Sequence, residues 1–268
     1  MSQYHLSNVH PNAKIASNVV IEPFATIYED VEIGEGSWIG PNTVIMDGAR
    51  IGKNCKIFPG SVISGTPQDL KYKGEPTLTY IGDNTVIREY VTISKGTSEQ
   101  MFTKIGENCL IMAYCHIAHD CNIGNHNIFS NCVQLAGHVH TGDYVTIGGT
   151  SAIHQFTHIG DYAFVAGGTR CRQDVPPYVK AAEEPIAYYG INTVGLRRRG
   201  FSNEIIFQIK EVYRYLYYKG LNRKMALEAI EAELPDTPER NYILNFIRSS
   251  KRGIIGAAVS AEVNTEDD

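Results

Sequence analysis

The chain has no Cys-x-x-Cys pair, no basic excess and no apolar run approaching membrane-spanning length. Each absence removes a class of protein. Without paired cysteine spacing, a zinc ribbon or a disulfide framework is excluded. A formal net charge of −5 over 268 residues argues against a nucleic-acid binder. The missing apolar run excludes a spanning helix, so no stable membrane insertion is expected, and the N-terminus shows no basic-then-apolar targeting layout. The cysteines are scattered, and Cys55, Cys109, Cys115 and Cys121 each stand two residues before an Ile. They read as small buried residues of a reducing compartment, which points to the cytoplasm.

Against these absences stands one strong regularity. Every sixth residue from Val9 to Cys171 gives 28 positions, and 23 of them hold Val, Ile, Leu or Phe. The exceptions are Asp69, Glu75, Glu99, Thr141 and Cys171. A period of six fits neither an α-helix nor a single strand. It fits a solenoid whose short flat segments each bury one apolar anchor. Three six-residue faces close one coil, so residue i lies under i+18. At strand spacing, roughly nine coils give a prism about 45 Å long. The glycine that often follows an anchor (Gly34, Gly52, Gly124, Gly160) is read as serving tight corners.

The anchors lapse over 64–80 and 94–104 and return in phase, so both stretches are read as external loops, where function concentrates. The pattern changes at Asp174, and Val175-Pro176-Pro177-Tyr178 closes the ladder. Residues 1–190 are assigned to the solenoid, 191–256 to a small α-helical C-terminal domain, and 257–268 to a disordered tail. Ser202, Asn222 and Thr237-Pro238 are expected to open helices running to about Tyr218, Leu234 and Arg252.

The coil arithmetic places side chains together. Gly137 falls one coil above His119, His138 above Asp120, Gln155 above Gly137, and His154 above Ala136. His116 falls under Gln134. For one histidine, an exposed corner that tolerates a polar residue is explanation enough; for the whole stack beside a glycine it is not. Zinc is a second reading, since trimeric zinc carbonic anhydrases share such a solenoid. Their set of two histidines five apart with a third two coils away is missing here, so no metal and no cofactor are expected. The third reading is general-base catalysis. His119 takes a proton from a hydroxyl, Asp120 or its backbone orients the ring, and the Gly137 N–H receives an oxyanion. Arg197-Arg198-Arg199 beside Asn192 suits a diphosphate, and Lys71 offers a further donor.

These stretches together resemble one family. The repeat, Gln68-Asp69-Leu70-Lys71-Tyr72, Ile117-Ala118-His119-Asp120-Cys121, Leu135-Ala136-Gly137-His138-Val139, His154-Gln155-Phe156 and Gly195-Leu196-Arg197-Arg198-Arg199-Gly200-Phe201 are similar to UDP-N-acetylglucosamine 3-O-acyltransferases. The likeness runs from about His10 to Ile255. It implies a mainly β fold, a left-handed parallel β-helix followed by the helical domain, assembled as a homotrimer with sites between subunits. Spacing does not supply that hand, which opposes the usual right-handed crossover.

The resemblance also implies transfer of an (R)-3-hydroxyacyl group from acyl carrier protein to UDP-N-acetylglucosamine, the first step of lipid A synthesis. It makes His119 the base, Asp120 its support and Gly137 the oxyanion donor. Asp69 and Lys71 hold the sugar, His116, His138, His154 and Gln155 line the pocket, and Asn192, Arg198 and Arg199 hold the nucleotide. Gly167 serves as the acyl-chain ruler, about 2.7 coils or roughly 13 Å above His119, which suits a chain of about 14 carbons. Well-known members carry an acidic residue where this chain has Val194, so one nucleotide contact is not made here. A related transferase using another nucleotide-activated amino sugar or an acyl-CoA donor, and a non-catalytic scaffold, remain open.

Overall fold

The six-residue period produces strands mostly two residues long, each an outward side chain followed by its buried anchor, as in His116–Ile117 and Asn122–Ile123. In the computed structural model, which describes residues 6–258, these strands stack in three sheets of nine, eight and eleven strands. The chain visits the three faces in turn and forms a left-handed parallel β-helix. The first face runs from Asn8–Val9 to Arg170–Cys171, the second from Lys14–Ile15 to His158–Ile159, and the third starts at Val20–Ile21. Anchors such as Ile27, Ile45, Ile63, Ile93 and Ile117 form a solvent-free column. Each contributes about 1.5–3 kcal/mol by burial, so the column dominates the fold's stability.

The 18-residue register holds wherever no loop intervenes: Ile117 pairs with Leu135, and Leu135 with Ile153. Lower down, Ile63 pairs with Ile93 and Ile93 with Ile117, separations of 93 − 63 = 30 and 117 − 93 = 24. The excesses over 18 are 12 and 6. Both are multiples of six, which is why the anchors return in phase. Thr141 and Cys171 are genuine buried anchors, whereas Asp69, Glu75 and Glu99 belong to the insertions. The loops are shorter than the lapse in anchors suggested. Strands continue to Gly65 and Ser94 and resume at Leu78 and Phe102, leaving 66–77 and 95–101 outside the ladder.

Glycine after the anchor has a cause other than the expected one. The left-handed corner residue stands three places after the anchor and is Asp120 (φ 58°), His126 (φ 57°) or His138 (φ 60°) as readily as glycine. Gly124, one place after its anchor, answers instead to the coil above. A Cβ there would lie 2.4 Å from the Gly142 carbonyl oxygen. Closeness of the coils, rather than the turn, requires glycine at that position.

Past Cys171 the third sheet continues through Val179–Ala182 and returns antiparallel as Ala187–Ile191, a hairpin the period does not announce. Four helices follow: α1 (Thr193–Arg198), α2 (Asn203–Tyr218), α3 (Arg223–Glu233) and α4 (Pro238–Ser249). Ser202, Asn222 and Thr237 cap the last three as expected, each accepting a backbone N–H three residues on. α1 was not foreseen, and α4 ends three residues before Arg252. Gly256–Ala257 pairs with Ala187–Tyr188, so the expected tail begins as a strand; residues 259–268 lie outside the described residues. No helix among the described residues is long and apolar enough to cross a membrane.

Asp174 ties the last coil to the C-terminal segment. Its Oδ1 accepts the His158 N–H at 2.8 Å and its Oδ2 accepts the Ser250 hydroxyl at 2.6 Å. Its own N–H donates to Gly253 and its carbonyl accepts from Ile255. Burial alone would raise the pKa of this carboxyl, but the hydrogen bonds from His158 and Ser250 outweigh it and hold the pKa below the usual range. Asp174→Ala should therefore cost about 2–4 kcal/mol at pH 7, the effect of orphaning buried donors. A depressed carboxyl pKa gives stability that is present above the unfolded value and lost as pH falls through the folded one. The gap between parent and variant should accordingly narrow below about pH 4. Denaturant midpoints at pH 7 and under acid check both points; an equal gap at the two pH values contradicts the ionic role.

Candidate active site

Every coil passes once through the corner between the first and second faces. Both external loops, 66–77 and 95–101, leave the prism at this corner, two coils and one coil below His119. His119-Asp120, Gly137-His138 and Gln155-Phe156 occupy it on three successive coils, with the His138 N–H on the His119 carbonyl and the Phe156 N–H on the Gly137 carbonyl. The chain thus concentrates its irregular backbone and its ionisable side chains on one edge.

His119 turns its Nδ1 toward Asp120 Oδ2 at 2.8 Å, leaving Nε2 to face outward. Gly137 sits directly over the ring: a Cβ there would fall 2.6 Å from His119 Cε1 and 2.8 Å from Nε2. No larger residue leaves the imidazole in place. The Gly137 N–H donates to no described group. The ring is 14% exposed and its carboxylate partner fully buried. A positioned base and an unused backbone donor therefore lie side by side, the pairing that activates a hydroxyl and receives an oxyanion.

A buried carboxylate needs several donors. Asp120 takes the Thr97 N–H on Oδ1 at 2.8 Å and the Thr97 hydroxyl on Oδ2 at 2.6 Å, while its own N–H donates to Thr103 Oγ1 at 2.9 Å. Burial raises its pKa, but the hydrogen bonds from His119 and Thr97 and the nearby His138 more than reverse this, and it stays ionised. Thr97 was not singled out from sequence. The available signal was its place in an external loop. His138 stacks on Phe156 (4.4 Å between centroids), meets the His119 ring edge-on, and reaches Glu99 at 3.0 Å.

The remaining expected residues are not all gathered here. His116 lies on the first face beside the corner, its Nδ1 2.8 Å from Thr92 Oγ1, and burial followed by the charge of His119 pushes its pKa down. His154 and Gln155 are exposed above Gly137. Asp69 and Lys71 occupy the 66–77 loop, where Asp69 Oδ1 accepts the Lys71 N–H at 2.9 Å. Arg199 stacks over Tyr144 at the corner between the second and third faces, with exposed Arg198 beside it. Asn192 caps α1 and donates to the Tyr162 carbonyl at 2.9 Å, so its amide is already engaged. Gly167 lies at the corner between the third and first faces. Its separation of 48 from His119 is two coils plus two faces, so axial height alone hides a change of corner. A single chain spreads these groups over three corners, and each corner is convex. A concavity of about 500 Å³ lies on the second face between Arg50, Tyr80, Phe102 and Lys104, and His119 does not line it.

Among the described residues, His119, Asp120 and His138 bring three ligand atoms within 4.8 Å of one another, a cluster that the histidine spacing does not announce. A metal would have to take Asp120 from Thr97 and His119. Burial pushes the thiols of Cys55, Cys109 and Cys115 up to about 11 and those of Cys121 and Cys171 to about 12, so none supplies a thiolate near neutral pH.

Known proteins share this fold. Residues 174–255 match the family described as UDP N-acetylglucosamine O-acyltransferase, domain 2, and 30–65 and 102–137 match the bacterial transferase hexapeptide repeats. An acyl-[acyl-carrier-protein]–UDP-N-acetylglucosamine O-acyltransferase from Janthinobacterium is 46% identical over 252 residues, covering 92% of this chain and 96% of that protein. A UDP-N-acetylglucosamine acyltransferase of Bacteroides fragilis superposes with a TM-score of 0.92 at 48% identity, covering 94% of this chain and 98% of the other. The Francisella novicida enzyme does so with a TM-score of 0.92 at 41% identity, covering 96% and 94%.

Thr97→Val should lower turnover by about ten-fold or more, because the Asp120 carboxylate loses one of its three hydrogen bonds, the one from the Thr97 hydroxyl. Without that bond Asp120 takes up a proton earlier, so activity should fail at a higher pH during acidification, and Thr97→Ser should restore both. Steady-state rates across pH test this. A lower melting temperature with an unchanged turnover number and pH profile would reduce Thr97 to a packing role.

Proposed function

Because the chain belongs to the family of acyl-[acyl-carrier-protein]–UDP-N-acetylglucosamine O-acyltransferases, we propose that it acylates the 3-hydroxyl of UDP-N-acetylglucosamine. The donor is an (R)-3-hydroxyacyl thioester of acyl carrier protein, and the product enters lipid A synthesis in the cytoplasm. The observation that carries the reading is the unused Gly137 N–H beside the outward Nε2 of a carboxylate-held His119.

His119 Nε2 takes the proton from the sugar 3-hydroxyl as its oxygen attacks the thioester carbonyl carbon. The carbonyl oxygen gathers charge and accepts the Gly137 N–H, a donor fixed before the reaction begins. Asp120 steadies the imidazolium from its buried position. Collapse expels the carrier thiolate, and the proton on Nε2 passes to sulfur. No nucleophilic side chain takes part, in keeping with the high thiol pKa values. His119→Ala should reduce the rate about a thousand-fold or more while the β-helix stays folded. Full activity in a folded variant sinks the base assignment.

Closing the site requires other copies of the chain. His119, Arg198 with Arg199, and Gly167 stand on three different convex corners, so one protomer encloses no pocket containing all of them. A homotrimer that brings neighbouring corners together supplies the missing walls, with Asp69 and Lys71 on the sugar and Arg198 and Arg199 on the nucleotide. Val194, 61% exposed beside them, offers no hydrogen bond there.

Gly167 is assigned to the acyl pocket. The left-handed turn belongs to Gly168 (φ 74°), so Gly167 is not held as glycine by its own φ. A Cβ at Gly167 would lie 3.2 Å from the Gly149 carbonyl oxygen, which asks for only a small shift. Gly167→Met should therefore fold, lose activity with donors of about 14 carbons and gain it with donors of about ten. Donor competition assays check this; a uniform fall for every chain length contradicts the ruler.

A further inference from the structure

Two imidazoles at the reactive edge, those of His119 and His138, face a single buried carboxylate. Asp120 Oδ2 already takes the Thr97 hydroxyl at 2.6 Å and His119 Nδ1 at 2.8 Å. His138 Nε2 stands 3.7 Å from the same oxygen, and its ring meets the His119 ring edge-on with 5.2 Å between centroids. Stacking on Phe156 at 4.4 Å sets the plane of the His138 ring but leaves it free to slide within that plane. A small shift would put His138 on Oδ2 in competition with His119.

Glu99 stands in the way of that shift. By count it holds an anchor position, where the period calls for an apolar side chain, but the 95–101 loop carries it out of the prism. Its Oε2 lies 3.0 Å from His138 Nε2, closer than Asp120 does. Its own N–H donates to Thr97 Oγ1 at 3.3 Å, so the segment that steadies Asp120 also places Glu99. Two carboxylate oxygens thus face His138 Nε2. A lone pair aimed at them would be repelled, so this nitrogen carries the proton, and in the neutral ring Nδ1 bears the lone pair. His119 has the opposite arrangement, with Nδ1 toward its carboxylate and Nε2 outward. Stability does not account for the contact. The Glu99 side chain is 66% exposed, and a pair so open to water adds little to folding.

We propose that Glu99 is a positioning residue for the acyl transfer assigned above, on which this role rests: it gives His138 a carboxylate of its own and so reserves Asp120 Oδ2 for His119. When the Glu99 charge is removed, the carboxylate left near His138 Nε2 is that of Asp120. His138 slides toward it, the His119 N–H shares its acceptor, and the imidazole under Gly137 loses its fixed aim. The 95–101 loop then does two things at one edge, holding Asp120 through Thr97 and holding its competitor away through Glu99.

The test uses Glu99→Gln, which keeps the shape and removes the charge, beside Glu99→Ala, which removes both. Each should lower kcat by about five-fold, with KM for either substrate within about two-fold of the parent. Melting temperatures should stay unchanged, as befits an exposed pair. His138→Phe keeps a ring on Phe156 without its nitrogens, and adding Glu99→Gln to it should cost nothing further. A crystal structure of Glu99→Gln should show His138 Nε2 within about 3 Å of Asp120 Oδ2. A kcat for Glu99→Gln within about two-fold of the parent overturns the role. So does an equal loss in the His138→Phe background, or a His138 that keeps its distance from Asp120 in the crystal. If the parent transfers no acyl group, the assigned reaction fails instead, and the position of His138 in the variant crystal still decides whether Glu99 holds it.

Discussion

Coil must rest on coil. Each outward strand residue donates its N–H to the coil above, and that ladder fixes the chain's register in steps of six. A stretch may leave the prism only at a corner, and it must return having spent a whole number of faces. The 12- and 6-residue insertions obey this rule, and both use the same corner. The rule also forces residues 18 apart into direct contact, so a glycine above a histidine becomes a fixed geometric relation rather than a chance of loop folding. The ladder leaves the N–H of the second residue past an anchor free, and at this corner that donor, on Gly137, lies over a histidine held by a buried carboxylate.

The second constraint is the cost of a buried charge. Asp120 is fully shielded, and a lone carboxylate there would be neutralised or would unfold its surroundings. Thr97 prevents this with two hydrogen bonds from the 95–101 loop, and Thr103 fixes the backbone. The loop is therefore part of the base. Through Asp120 it sets which nitrogen of His119 faces outward, and thereby which one meets substrate. The coil supplies the position of the ring, and the excursion supplies its electrostatics.

How much of this could be read from the sequence depended on whether a feature was periodic. The anchors predicted the prism, and i+18 placed Gly137 over His119 and His138 over Asp120, as the geometry has it. Helix caps were legible at Ser202, Asn222 and Thr237 because their side chains act locally. Features that depend on contact between separate segments were not. Thr97 reaches Asp120 from a loop without period, and the 179–191 hairpin pairs by a different rule. α1 is only six residues long, and its cap, Asn192, stands in a stretch whose arginines point equally to a ligand. Glycine after the anchor answers to the coil above, and the i+18 rule that stacks Gly106, Gly124 and Gly142 carries that signal, but not how closely the coils approach. For Gly167 the arithmetic was available: 48 residues are two coils and two faces, and height was counted while the face was not.

The arrangement makes one central demand, that the sugar oxygen and the acyl carbonyl meet between His119 and Gly137. The most direct measurement is a crystal structure of the protein with its 3-O-acylated product. The ester oxygen on the sugar should lie within about 3 Å of His119 Nε2, and the ester carbonyl oxygen at a similar distance from the Gly137 nitrogen. A product whose ester lies on another corner, with His119 touching only solvent, would contradict the role given to this edge.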